Sequence, residues 1–250
     1  MLRSSITHVL YFLFYAATLC CHAQLATVKD YYQTLEETSE ETVTVTFVQE
    51  EFDLVEDFAS LQQIILLRHG EPALDKKGWR KRKEAMKFIR AYDSVGVFTP
   101  EFVPVSLNSE EIEVIFTSTL NRSISTATQV FQRPEDQQAE ALYREFERKI
   151  FAFPNIKLPL KWWLTGSRLF WFMGFNKKDI ESFREAKKRA KKAALQLEAN
   201  SEQSGKTLLV SHGLLNHFLV KYLKKNDWTE VYDGGKGYLS QKVLVKYPDD

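Results

Sequence analysis

The run Gln63-Ile64-Ile65-Leu66-Leu67-Arg68-His69-Gly70-Glu71-Pro72 constrains the rest of the chain: four consecutive aliphatics stop abruptly on a cation, an imidazole and a glycine. An unbroken aliphatic run of this kind suits a strand covered on both faces, as in the middle of a sheet with helices above and below. In open α/β sheets, ligands collect outside the strand ends. Arg68 and His69 therefore stand where chemistry is expected, although an Arg and a His can also simply begin a loop.

Two further segments are built the same way. Lys206-Thr207-Leu208-Leu209-Val210-Ser211-His212-Gly213 is a second short apolar run closing on His-Gly, followed by the helix-like Leu214-Leu215-Asn216-His217-Phe218-Leu219-Val220. Glu113-Val114-Ile115-Phe116-Thr117-Ser118-Thr119-Leu120-Asn121-Arg122-Ser123 passes from strand to helix with an Arg near the helix start. If the three strands are parallel neighbours, two His and two Arg converge on one edge of the sheet. The opening turn of the helix after Arg122 then aims its backbone N–H groups and positive dipole end at the same place, which suits a phosphate.

In this order, Arg68-His69-Gly70-Glu71, the Ser118-to-Arg122 turn with Thr126-Ala127 after it, and Val210-Ser211-His212-Gly213 resemble the three signature segments of the histidine phosphatase superfamily, the phosphoglycerate mutase-like proteins. The resemblance runs from about Gln62 to the C-terminus. It implies an α/β fold, a three-layer sandwich with a mostly parallel central sheet flanked by helices. It also implies a phosphatase that hydrolyses small phosphomonoesters through a phosphohistidine on His69, with no metal and no organic cofactor. Arg68 and Arg122 would bind the phosphoryl oxygens with their forked guanidinium groups. His212 would be a catalytic second phosphate contact.

The family's general-acid carboxylate stands in a Leu-x-Glu setting. Glu145 comes three residues after Leu142, one farther than that pattern, and Glu147 is the alternative. Loops inserted over such a sheet edge form pocket walls, which makes Arg168 a candidate substrate contact. Pro72, Ala73 and Leu74 occupy positions where the family carries a Thr or Ser and then an Asn, and Leu214 follows His212-Gly213. These departures weigh against a phosphomutase. A reading from another class is a secreted binding or scaffold protein that kept the fold without the reaction. Retention of Arg68, His69, Arg122 and His212 argues against it, because a scaffold has no physical need for that set.

The N-terminus opens with Arg3, and an almost unbroken apolar run from Val9 to Cys21 ends near Ala23. This resembles a secretory signal cleaved after residue 23, and it is short for a membrane span. The expected organisation is a leader at 1–23, an N-terminal extension with an added strand at 24–61, and a phosphatase-like domain at 62–250. The product would be exported, periplasmic or secreted, or membrane-anchored if the leader stays. Both cysteines, Cys20 and Cys21, lie in the leader, so a cleaved protein would have no disulfide, thiolate nucleophile or cysteine-bound zinc. Within the extension, Thr42 to Val48 alternates as a half-buried strand does.

The net charge of +1 offers no electrostatic case for nucleic acid. From Asp75 to Arg90 the pattern predicts a basic helix with Trp79, Met86 and Ile89 buried. After Arg122 a helix is expected with Ile124, Ala127, Thr128 and Phe131 on one face, broken by Pro134. Phe151 to Phe175 concentrates Trp162, Trp163, Phe170, Trp171, Phe172 and Phe175. Two readings of this insertion stand side by side: an aromatic cap packed on the domain, or a substrate-facing or membrane-surface patch. Membrane contact would come only through it or through a retained leader. Asn176 is expected to cap a following helix, with Ile180, Phe183, Ala186, Ala190, Ala193 and Leu197 as its apolar stripe. Tyr238 to Tyr247 reads as a closing strand.

Overall fold

The computed structural model describes residues 61–100, 112–152, 156–175 and 178–247. The expected leader and the Thr42–Val48 strand lie outside the described residues. Six strands form the central sheet: β1 (Gln62–Arg68), β3 (Ile115–Ser118), β4 (Gln137–Glu140), β6 (Lys206–Ser211), β7 (Thr229–Asp233) and β8 (Gln241–Lys246), in the order β4-β3-β6-β1-β8-β7. The pairs β1–β6, β3–β6 and β3–β4 are parallel, while β8 runs antiparallel to β1 and β7 to β8. A separate two-stranded ribbon joins β2 (Trp79–Arg80) to β5 (Leu158–Pro159).

Five helices are described: α1 (Arg82–Ser94), α2 (Asn121–Phe131), α3 (Leu160–Phe172), α4 (Phe183–Ser204) and α5 (Gly213–Leu223). The four aliphatics of β1 divide by parity, as strand geometry requires. Ile64 and Leu66 join the core built with Ala186, Ala190, Ala193 and Leu197 of α4 and Leu215 and Leu219 of α5. Ile65 and Leu67 join the core on the other side, with Ala127, Val130 and Phe131 of α2. This is the three-layer, mostly parallel α/β architecture that the resemblance implied. A third cluster, Ala85 and Phe88 of α1 with Ile150, Leu160 and Trp163, knits α1 and α3 together.

Several local expectations are corrected. The basic helix begins at Arg82 rather than Asp75, because Trp79 and Arg80 pair with Pro159 and Leu158 as a ribbon. Trp79 is exposed, and the residues that α1 buries are Ala85 and Phe88, with Met86 and Ile89 half-buried against them. Along α2 the buried set is Arg122, Ser123, Thr126, Ala127, Val130 and Phe131, while Thr128 is exposed. This helix ends at Gln132 in the left-handed region (φ 54°), ahead of Pro134. The helix after the aromatic segment is capped by Ser182, whose hydroxyl accepts from the Glu185 N–H while the Glu185 carboxylate takes the Ser182 N–H. Asn176, the expected cap, lies outside the described residues, and Ile180 packs on the core from outside the helix. Two strands of the central sheet escaped the pattern altogether: β4 is Gln-Gln-Ala-Glu, with a single alanine and so no alternation, and β7 is broken by an irregularity between Glu230 and Tyr232.

Candidate active site

Parallel pairing brings the three motif ends together. In the β1–β6 register Arg68 stands opposite Ser211, so the next residues, His69 and His212, leave the sheet side by side. Their rings lie 5.2 Å apart, edge to face. On the other flank of β6, Thr117 of β3 stands opposite Val210, and the turn after Ser118 delivers Arg122 into the first turn of α2. His212 is the N-cap residue of α5. Two helix N-termini therefore converge on the imidazoles, each contributing partial positive charge.

Arg68, His69 and Arg122 line one cavity of about 1100 Å³, together with Lys76, Tyr92, Asp93, Glu145, Arg148, Leu164, Arg168 and Tyr238 among others. His212, its ring 5.2 Å from that of His69, is fully buried. His69 Nδ1 is 2.7 Å from the Gly70 carbonyl oxygen. A carbonyl can only accept, so Nδ1 carries the proton and Nε2 keeps its lone pair. Burial, then the positive field of Arg122, with smaller effects from Arg68 and Lys76, lowers the His69 pKa from 6.5 to about 3, against the opposing Gly70 hydrogen bond. His212 is pushed well below its ordinary value by burial first and Arg122 second. Both imidazoles are neutral at physiological pH, a state that suits an attacking nitrogen at position 69.

Each arginine is oriented by a tyrosine. The Arg122 guanidinium carbon sits 4.6 Å from the Tyr92 ring centroid, and Arg68 is at the same distance from Tyr238. Arg122, almost wholly buried, donates from Nη1 to the Tyr92 carbonyl at 2.9 Å and to Asp93 Oδ1 at 3.2 Å. Arg68 donates to the carbonyls of Lys236 and Gly237, tying down the glycine-rich turn before β8, and Lys76 donates to the Tyr238 hydroxyl. Among the described residues, the Nε atoms of Arg68, Arg122 and Arg148 and Nδ1 of His212 are buried with no hydrogen-bond partner. Buried polar groups of this kind are rare unless a ligand or water answers them.

Thr126 holds the nucleophile loop to α2. Its hydroxyl accepts the Gly70 N–H at 2.9 Å and donates to the Arg122 carbonyl at 2.6 Å. Glu145 lies in the cavity wall, half-buried, with Oε1 accepting its neighbour's N–H from Phe146. The buried anchor of that segment is Tyr143, two residues before Glu145, whereas Leu142 is only half-buried. Glu147, the alternative, also borders the cavity, but its Oε2 accepts the Glu181 N–H at 2.6 Å ahead of α4. Arg168 reaches the wall yet directs its two Nη atoms to the carbonyls of Phe146 and Glu147, at 2.9 and 3.0 Å, with Trp171 beneath it. His217 is an exposed helix residue along the same wall.

Lys76, Tyr92, Arg148 and Tyr238 went unrecognised in the sequence. No motif announces them. The glycine-rich turn at 233–237 marks a bend, but which side chain that bend presents depends on its packing against Arg68.

Residues 64–245 match the family described as the histidine phosphatase superfamily, branch 1. No curated protein matches the sequence. Solved structures of similar fold include a mycobacterial glucosyl-3-phosphoglycerate phosphatase, 18% identical over 73% of this chain and 89% of that one, with a TM-score of 0.43. A phosphoglycerate mutase from Bacillus anthracis is 16% identical over 74% of this chain and 88% of that one, with a TM-score of 0.44. A putative alpha-ribazole-5'-P phosphatase from Escherichia coli is 14% identical over 64% and 78%, with a TM-score of 0.39. With a family match spanning well over half its length, the chain belongs to the histidine phosphatase superfamily.

Proposed function

We propose that the protein is a metal-independent phosphatase acting on small phosphomonoesters, with His69 as the nucleophile. The observation that carries this reading is the neutral His69 imidazole, its Nδ1 proton engaged by Gly70, set beside the buried Nε atoms of Arg68 and Arg122, which have no partner among the described residues. His69 Nε2 attacks phosphorus as the ester P–O bond breaks, and Glu145 gives its proton to the departing alkoxide. Water then attacks the phosphohistidine, yielding its proton to Glu145, and the P–N bond breaks to release phosphate and free His69. Arg68 and Arg122 bind the equatorial oxygens, where negative charge must be held through both steps. His212 contacts the same oxygens from beside the nucleophile.

Arg168 acts as a positioning residue, holding the Phe146 and Glu147 carbonyls and so the segment that carries Glu145. The domain so built would occupy 62–250 of an exported chain. Mass analysis of secreted protein tests that part, and an intact Met1 would overturn cleavage. The enzymatic part is tested by hydrolysis of p-nitrophenyl phosphate in the presence of chelator. Wild type turns over and His69→Ala does not; equal rates for the two would remove the assignment.

A further inference from the structure

The helix α3 is amphipathic in the wrong sense for an isolated domain. Its inward residues are what a core needs: Leu160, Trp163, Ser167 and Trp171 are buried. Its outward face is just as apolar. Trp162, Leu169 and Met173 fall within about 40° of one another on a 3.6-residue helical wheel, with Phe170 and Phe172 on either side. They are exposed by 68%, 57%, 59%, 43% and 38%, and Phe175, just past the helix, by 69%. Thr165 and Gly166 fill the gaps in this face, so no charge interrupts it. Trp79, also exposed, stands opposite Pro159 at the start of the helix. Scattered exposed apolar residues are ordinary on soluble proteins; a contiguous aromatic strip along one helix marks a surface that is covered in use.

We infer that this face docks onto an anionic lipid surface. The helix has 13 residues, about 20 Å at 1.5 Å per residue, which is too short to cross a bilayer and well suited to lying in its interface. Among the described residues no helix is long and apolar enough to span a membrane. Trp and Phe beside Leu and Met are the side chains that partition at the headgroup boundary. The start of the helix is basic, with Lys157 and Lys161 both exposed.

These two lysines decide between occupants. A second copy laid face to face would bring like charges together, whereas acidic phospholipid headgroups answer them. The inner side of the same helix lines the catalytic cavity with Leu164 and Arg168, so docking sets one wall of that cavity against the membrane plane.

The test uses the full chain, sedimented with phosphatidylcholine vesicles and with vesicles containing phosphatidylserine. Wild type is expected to bind the anionic vesicles and to lose binding as salt rises. The triple variant Trp162→Glu, Leu169→Glu, Met173→Glu is expected to bind at least about tenfold more weakly, with hydrolysis of p-nitrophenyl phosphate and the thermal midpoint unchanged. Lys157→Glu with Lys161→Glu should weaken binding to anionic vesicles alone. Equal sedimentation of wild type and triple variant would overturn the inference, because a retained apolar leader is common to both. It would equally fall if wild type ignored anionic vesicles, or if the triple variant changed only the mass measured by light scattering, which would assign the face to a second copy.

Discussion

The His69 ring stands 5.2 Å from the His212 ring, edge to face, because Arg68 and Ser211 are register partners in the parallel β1–β6 pair. His69 lines the cavity and His212 is wholly buried beside it, so the two are expected to fail differently. His69→Ala should abolish turnover and leave no acid-labile phosphoprotein on brief exposure to substrate. His212→Ala should still form that phosphoprotein while lowering kcat by about 10²-fold, the usual loss when one oxyanion contact is removed. Rapid-quench labelling with radioactive phosphomonoester distinguishes the two; labelling of His69→Ala equal to wild type would show that the nucleophile is elsewhere.

Glu145 and Glu147 face different tasks, since Glu147 accepts the Glu181 N–H while Glu145 accepts its own neighbour's N–H and sits in the field of Arg148 and Arg168. Glu145→Gln should slow an alkyl phosphate, whose leaving group needs a proton, by about 10²-fold or more, and p-nitrophenyl phosphate far less. Glu147→Gln should leave both rates close to wild type and lower the thermal midpoint. Steady-state rates on the two substrates check this, and the opposite split would exchange the roles of the two residues.

Much of the site was legible because its signal is an interruption: Arg68, His69 and His212 each end an aliphatic run too apolar to be anything but an inner strand. Arg122 could be placed for the same reason, since a strand-to-helix turn precedes it. Tyr238 and Lys76 were not legible, because their positions follow from a glycine-rich turn folding over Arg68 rather than from any periodicity. Trp79 misled in the other direction. Large aromatics are normally core residues, and only the pairing of β2 with β5 shows that this one faces outward. The spacing from Leu142 to Glu145 misses the family's Leu-x-Glu by one residue, and the fully buried residue two positions before the carboxylate is Tyr143.

Gly213 offers a test of Arg68 that leaves Arg68 in place. A Cβ added there would lie 3.3 Å from Arg68 Nε and 3.4 Å from its Cδ, so the guanidinium must shift by a few tenths of an ångström. Alanine is otherwise the better helix former at this first position of α5, so the fold should hold. Gly213→Ala is expected to lower kcat/KM roughly tenfold at an unchanged thermal midpoint, and to weaken inhibition by inorganic phosphate in parallel. Unchanged phosphate inhibition would show that Arg68 does not contact the anion.

Acid should unfold the protein partly through His69. Its folded-state pKa is about 3 against an ordinary value of 6.5, the depression coming first from burial and then from Arg122. Above pH 6.5 the imidazole is neutral in both states and its full contribution to stability is present. As the pH falls from 6.5 toward 3, the unfolded chain binds a proton that the folded chain refuses, and stability drops by up to about 1.4 kcal/mol per pH unit. Below the folded value both states are protonated and the contribution is gone. His69→Asn removes this proton while keeping a polar side chain, so its urea midpoint should decline less steeply than that of wild type between pH 6.5 and pH 4. Identical slopes would mean that His69 takes up its proton in the folded state as readily as in the unfolded one. That would contradict a neutral imidazole enclosed by Arg122 and Arg68, and with it the electrostatic case for His69 as the attacking group.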